Sequence, residues 1–251
     1  MLAAACPRLC VLNLAHTAVE SDLGALGGAA WPRLRWLDAS STRLWGNIDG
    51  LSGSERLVHL RLSRLKLVGG NLFPALAKMR RLRTLLLQGT DVGGNLEAMI
   101  VTPTSFSSSE TAAPIAAATT PQRAILVNGR PQCSLPSLRR ISLESCRNVT
   151  GSILPFAACP ELCDVDVSFS NLTGGRALAF LAKACPHLRR VKAMLAPRFA
   201  FRLDKSTLAL LPLLGRTSDT SGFIDDRRQW NEIQEELRRK QPGLQVITVL
   251  G

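Results

Sequence analysis

Seven cysteines, at 6, 10, 133, 146, 159, 163 and 185, and three histidines, at 16, 59 and 187, are the side chains best suited to thiol, metal or acid–base chemistry. Their spacing argues against all three. An odd number of cysteines spread along the chain excludes a complete internal disulfide framework, and reduced thiols are expected. Cys6 and Cys10, and again Cys159 and Cys163, have three residues between them, whereas structural zinc sites use closer CxxC pairs with further Cys or His ligands. The histidines lie in unrelated contexts, with no HExxH, no GxSxG elbow and no glycine-rich phosphate loop ending in Lys. Ser21 and Ser218, each before an acidic residue, read as turn or cap residues. No catalytic residue, cofactor or metal site is assigned, and the chain is read as no enzyme.

The elements that carry these residues must come from 251 residues of which 46% are apolar, enough for a continuous core. Charged residues interrupt every long apolar run, so no transmembrane segment is expected. The start, MLAAACPRLCVLNLA, lacks a basic leader and is broken by Pro7 and Arg8, which points to a cytoplasmic rather than a secreted chain. The sequons at Asn148 and Asn171 matter only in a secreted protein. Lys plus Arg outnumber Asp plus Glu by 31 to 19, a balance that favours anionic partners.

Self-similarity is the main signal. LCVLNLAHTAV at 9, LRWLDASSTRL at 34, LVHLRLSRLKL at 57 and LRTLLLQGTDV at 82 superimpose without gaps. The pattern resumes with LRRISLESCRNV at 138, LCDVDVSFSNL at 162 and LRRVKAML at 188. Such spacing suits a short strand whose fourth and sixth positions point inward, followed by a turn into a second apolar segment. One copy cannot bury its apolar side alone; stacked copies share a core. Leu34, Leu37 and Leu44 are therefore read as core positions, and Leu37, Leu60, Leu85, Ile141 and Val165 as one inward row.

The pattern resembles the leucine-rich repeat family. The resemblance implies an α/β fold, a curved solenoid with parallel strands on the concave face and helical or irregular convex segments. Recurrent Gly-Asn turns, in WGNI and twice in VGGNL, look like plant-type LxGxI repeats, whereas CPELCDVDVSFSNLTGGRALAFLAKACPHL is similar to the cysteine-containing class and implies a helical convex segment. The turn glycines supply positive φ or close backbone approach. Cys146, Cys159 and Cys185 are then buried small apolar side chains.

Residues 1–100 are assigned to four repeats and 137–215 to further repeats that degenerate after about 195. Between them, 101–136 is rich in Ser, Thr, Ala and Pro and is read as a low-complexity disordered insertion, in which AILV, at 124–127, offers a short strand too brief to carry much weight. Residues 216–251 are assigned to a capping helix, DDRRQWNEIQEELRRK, and a last strand, LQVITVL. Met1 leads almost at once into the first repeat, which points to a piece of a longer protein.

The exposed strand positions are where a solenoid meets its partner. The register puts Trp36, His59, Arg140 and Arg190 at the third position and Asp38, Arg61, Ser142, Asp166 and Lys192 at the fifth. Arg64 follows at the eighth; Arg35, Arg83, Arg139 and Arg189, at the second, belong nearer the rim. Trp36, Asp38, His59, Arg61, Arg64, Arg140, Asp166, Arg190 and Lys192 form the candidate concave site. Its expected partner is a protein. The alternative is nucleic acid or an anionic membrane surface held by an Arg-rich strip.

Overall fold

The structure is a computed structural model that describes residues 6–100, 126–127, 130–131, 133–174, 177–194, 235, 239 and 241–247. Each copy of the repeat contributes one three-residue strand to a single parallel sheet of eight: Val11–Asn13, Trp36–Asp38, His59–Arg61, Thr84–Leu86, Arg140–Ser142, Asp164–Asp166, Arg190–Lys192 and Gln245–Ile247, in chain order from one end to the other. The architecture is that of a leucine-rich repeat solenoid. Pairing is in register throughout, so Leu37, Leu60, Leu85, Ile141, Val165 and Val191 are direct neighbours, and each is 1% exposed or less. The inward row is as expected. Leu34 and Leu44 are equally buried.

The convex side is built from short helical turns at Leu23–Leu26, Ile48–Leu51, Leu72–Leu76, Leu96–Met99 and Leu154–Ala158, and from one longer helix, Ala177–Ala184. That helix lies in the cysteine-containing copy, as its longer apolar segment implied. The Gly-Asn turns have a double role. Asn47 Oδ1 accepts from the Asp49 amide at 2.9 Å and Asn95 Oδ1 from the Glu97 amide at 3.0 Å, so each asparagine starts its helical turn. Gly70 of the next copy, at φ +94°, packs so tightly on Asn47 that a Cβ there would overlap its Oδ1. The glycine of one repeat thus makes room for the cap of the preceding one, and Gly94 stands in the same relation to Asn71.

A second periodic feature was not anticipated. The eighth position of the first six copies is left-handed: His16, Ser41, Arg64, Gly89, Ser145 and Phe169 have φ between 55° and 65°. This conformation turns each amide toward the next copy, where it donates to the seventh residue, as from Ser41 to Ser63 O at 2.9 Å and from Ser145 to Ser168 O at 2.9 Å. The inter-repeat ladder therefore continues past the strands, at the cost of left-handed backbone in five non-glycine residues.

The insertion leaves the sheet intact. Thr84–Leu86 pairs directly with Arg140–Ser142, and Gly93–Asn95 with Asn148–Thr150. Ile100 bridges Cys133, and the Ser134 amide donates to Met99 O at 2.8 Å, so the chain leaves and rejoins the solenoid at one point. Of the AILV segment, Leu126–Val127 forms the short strand, paired antiparallel with Arg130–Pro131; two residues can pair when a partner strand lies only two residues away. The disorder expected for 101–125 lies outside the described residues, as do the repeats expected to degenerate between about 195 and 215. In the expected capping helix the described residues Glu235 and Arg239 are helical and form an i, i+4 ion pair at 3.7 Å. The last strand is present, Gln245–Ile247 on Arg190–Lys192.

Candidate partner-binding face

The third and fifth residues of each copy flank the inward row and stand on the opposite, concave face. At one end the strands Trp36–Asp38 and His59–Arg61 bring four candidate residues together. Trp36 and His59 are cross-strand neighbours with ring centroids 4.5 Å apart. Arg61 Cζ lies 5.1 Å from the Trp36 ring centroid, a cation–π distance, and Arg61 Nη1 is 3.7 Å from Asp38 Oδ2. Burial lowers the His59 pKa below the ordinary histidine value, with Arg61 and then Arg83 adding to the effect, so the ring is neutral at physiological pH.

At the other end, Arg140, Asp166, Arg190 and Lys192 are joined by Asp164, which the sequence reading passed over although it is the third residue of LCDVDV. Arg140 Nη2 lies 2.9 Å and Nε 3.1 Å from Asp164 Oδ2, and Arg190 Nε lies 3.8 Å from Asp164 Oδ1. Lys192 Nζ is 3.8 Å from Asp166 Oδ2. The expected Arg-rich strip is thus a ladder of alternating charge, because a cation at the third or fifth position in one strand faces a carboxylate in the next. Leu86 sits between the two clusters, next in register to both Arg61 and Ser142, and is the apolar part of the floor. A shallow depression over it is lined by Gln88, Arg140, Ser142, Asp164 and Lys192.

Two candidates do structural work. Asp38 Oδ1 accepts from the Ser40 amide at 3.1 Å and Asp166 Oδ1 from the Ser168 amide at 3.1 Å, closing the turn after each strand. Arg64 is exposed but stands three residues beyond its strand, in the left-handed turn, with its amide on Gln88 O; the structure places it at the sheet's C-terminal edge rather than on the face. There the seventh positions form a polar row, in which Ser63 Oγ donates to Gln88 Oε1 at 3.3 Å and Gln88 Nε2 to Glu144 Oε2 at 3.3 Å.

The remaining titratable side chains are dispersed. Cys146, Cys159 and Cys185 are fully buried in the core. The Cys133 and Cys159 sulfurs are 3.1 Å apart where the insertion rejoins; the hydrogen bond from Cys159 lowers the Cys133 pKa, while that of Cys159 is pushed up. Among the described residues no group of three or more His, Cys, Asp or Glu could hold a metal ion. No described helix is long and apolar enough to cross a membrane. The sequon asparagines are tied to the neighbouring repeat, Asn148 Nδ2 to Asp91 Oδ1 at 2.8 Å and Asn171 Nδ2 to Arg147 O at 2.6 Å.

Comparison of the sequence with protein-family models gives no match, and comparison with curated proteins gives none. Among solved structures the chain is similar to internalin C2 of Listeria monocytogenes, at 16% identity and a TM-score of 0.47 over 75% of this chain and 62% of that one. It is also similar to the leucine-rich repeat ectodomain of the Arabidopsis receptor kinase HAESA, in complex with an N-terminally extended IDA peptide hormone, at 16% identity and a TM-score of 0.49 over 77% of this chain and 31% of that one. The chain spans less than two thirds of the length of these structures.

Proposed function

We propose that this chain is a non-enzymatic interaction module that holds a protein partner on the concave face, as an intracellular adaptor or as part of a larger receptor or ligase-type assembly. One observation carries the reading. Of the seven buried side-chain polar atoms without a hydrogen-bond partner among the described residues, three lie on this face: His59 Nδ1, Arg61 Nε and Ser142 Oγ. An unpaired buried polar atom costs about 1–3 kcal/mol, and a partner that draws these side chains round to meet its own backbone or polar groups would relieve that cost. Around these atoms the face offers an aromatic anchor, Trp36, an apolar patch, Leu86, and charges of both signs, which suits a mixed protein surface rather than a lattice of phosphates.

The test is affinity capture on the immobilised full chain from nuclease-treated lysate, at low and high salt, beside the variants Trp36→Ala/Arg61→Ala and Arg140→Ser/Arg190→Ser/Lys192→Ser. Proteins retained at high salt by the wild type and lost with either variant support the reading. Retention unchanged by both variants, or none surviving nuclease, overturns it.

A further inference from the structure

The basic surplus that the concave face does not display is concentrated elsewhere. Before every strand the chain makes the same turn, in which the amide of the repeat's first leucine donates to the carbonyl three residues earlier: Leu9 to Cys6, Leu34 to Trp31, Leu57 to Ser54 and Leu82 to Met79, at 2.9–3.1 Å. The residue before that leucine is therefore stacked from repeat to repeat along the N-terminal edge of the sheet. In four consecutive repeats it is arginine: Arg8, Arg33, Arg56 and Arg81. The residue after the leucine lies beside it and adds Arg35 and Arg83. Backbone bonds fix this second row as well, since the Val58 amide donates to Arg35 O and the Arg83 amide to Val58 O, both at 2.8 Å.

All six arginines are exposed, and among the described residues none forms an ion pair. Glu55 is the one acidic residue in these turns. Residues that follow the same strands have no such bias, because Arg43, Arg64 and Lys66 are accompanied there by Glu20, Asp22, Asp49 and Asp91.

We infer that the N-terminal edge of the first four repeats, carrying Arg8, Arg33, Arg35, Arg56, Arg81 and Arg83, is a binding surface for the phosphate backbone of duplex nucleic acid. Strands in a sheet are about 4.8 Å apart, so four turns place their cations along roughly 15 Å. Duplex DNA presents one charge per about 1.7 Å of axis, enough phosphates to meet the whole row. Arginine suits the role because its planar fork takes phosphate oxygens in pairs. A single-stranded ligand would call for exposed aromatic rings to stack on, and the edge has none. Firm docking on a membrane would call for large apolar side chains to insert, and the exposed residues of these turns are proline, arginine, glutamate and the small side chain of Cys6. Contacts to phosphate oxygens carry no sequence information, so binding through this row is independent of sequence. This surface is separate from the concave face, and its test is independent of that reading.

The experiment measures binding of the full chain to a labelled DNA duplex over a salt series, beside a single strand of the same length, vesicles of phosphatidylcholine and phosphatidylserine, and polyglutamate. Each phosphate neutralised contributes about 0.9 to the log–log salt slope, so a slope of magnitude about 3–5 is expected. The variant Arg33→Ser/Arg35→Ser/Arg81→Ser/Arg83→Ser should weaken low-salt binding by at least about tenfold and flatten the slope. The matching Lys variant should retain most of the binding, and Arg140→Ser/Arg190→Ser/Lys192→Ser on the concave face should leave it unchanged. The substituted side chains are exposed, and melting curves verify that each variant is folded. No salt-sensitive duplex binding, equal loss in the edge and face variants, or binding to vesicles, polyglutamate or single strands as tight as to duplex overturns the inference.

Discussion

Arg140 reaches across to the neighbouring strand and places both Nη2 and Nε within 3.1 Å of one oxygen of Asp164. With Arg190 on the other carboxylate oxygen, one acid serves two cations from repeats on either side of it. The pairing sets the character of the face, yet stability depends little on it, because exposed ion pairs contribute about 1 kcal/mol at most. Asp164→Asn should leave the urea midpoint nearly unchanged. Asp164→Asn/Asp166→Asn should elute later from a cation exchanger than Asp49→Asn/Glu55→Gln, which makes the same change in net charge, since it unmasks Arg140, Arg190 and Lys192; equal elution of the two would show that these pairs do not hold in solution.

Leu60 is at the centre of the inward row and fully buried, whereas Leu86, one strand away, is half-buried on the concave face. Leu60→Ala should cost about 2–5 kcal/mol, the range for a large-to-small change in a packed core. Leu86→Ala should cost well under half of that. Chemical denaturation of both variants decides, and similar losses would contradict the two-faced strand.

Gly70 and Gly89 both have positive φ, but only Gly70 abuts a neighbour, since nothing lies within 4 Å of a Cβ at Gly89. Gly89→Ala should cost only the left-handed penalty of about 1–2 kcal/mol. Gly70→Ala should cost about 1 kcal/mol more, because it also displaces the Asn47 cap. Equal costs would mean that the cap and glycine do not act together across repeats.

His59 packs on Trp36, and its pKa in the folded chain is lowered from 6.5 by burial, with Arg61 and then Arg83 adding to the effect. The unfolded chain then takes up this proton at higher pH than the folded one. Stability should fall as pH drops through 6.5 and level off once the folded histidine is also protonated. Urea midpoints between neutral and mildly acid pH should show this component in the wild type. His59→Gln should lack it.

Because Ile100 and Cys133 are bridged and the flanking strands pair directly, the solenoid does not depend on the chain between them. Replacing 103–124 with a short Gly-Ser linker should preserve the far-ultraviolet spectrum and the melting midpoint. A large loss of stability would reveal a structural role for the insertion.

The repeat, the inward row and the place of the last strand were legible in the sequence, because alternation within a strand and a recurring period are local properties that every copy states again. Leu37, Leu60, Leu85, Ile141 and Val165 needed no coordinates to be aligned. The register also named the residues of the concave face, including Asp164 had it been read at every copy. Only the tertiary structure decided which charges cancel, since Coulomb energy follows the distance between side chains from different repeats, as from Arg140 to Asp164, rather than their positions within one. It likewise decided that the eighth position is left-handed in residues as unlike as Arg64, Ser145 and Phe169, a conformation imposed by hydrogen bonds to the next copy against the preference of the residue itself. The arginines of the N-terminal edge became one surface for the same reason: stacking brings together what about 24 residues of chain hold apart.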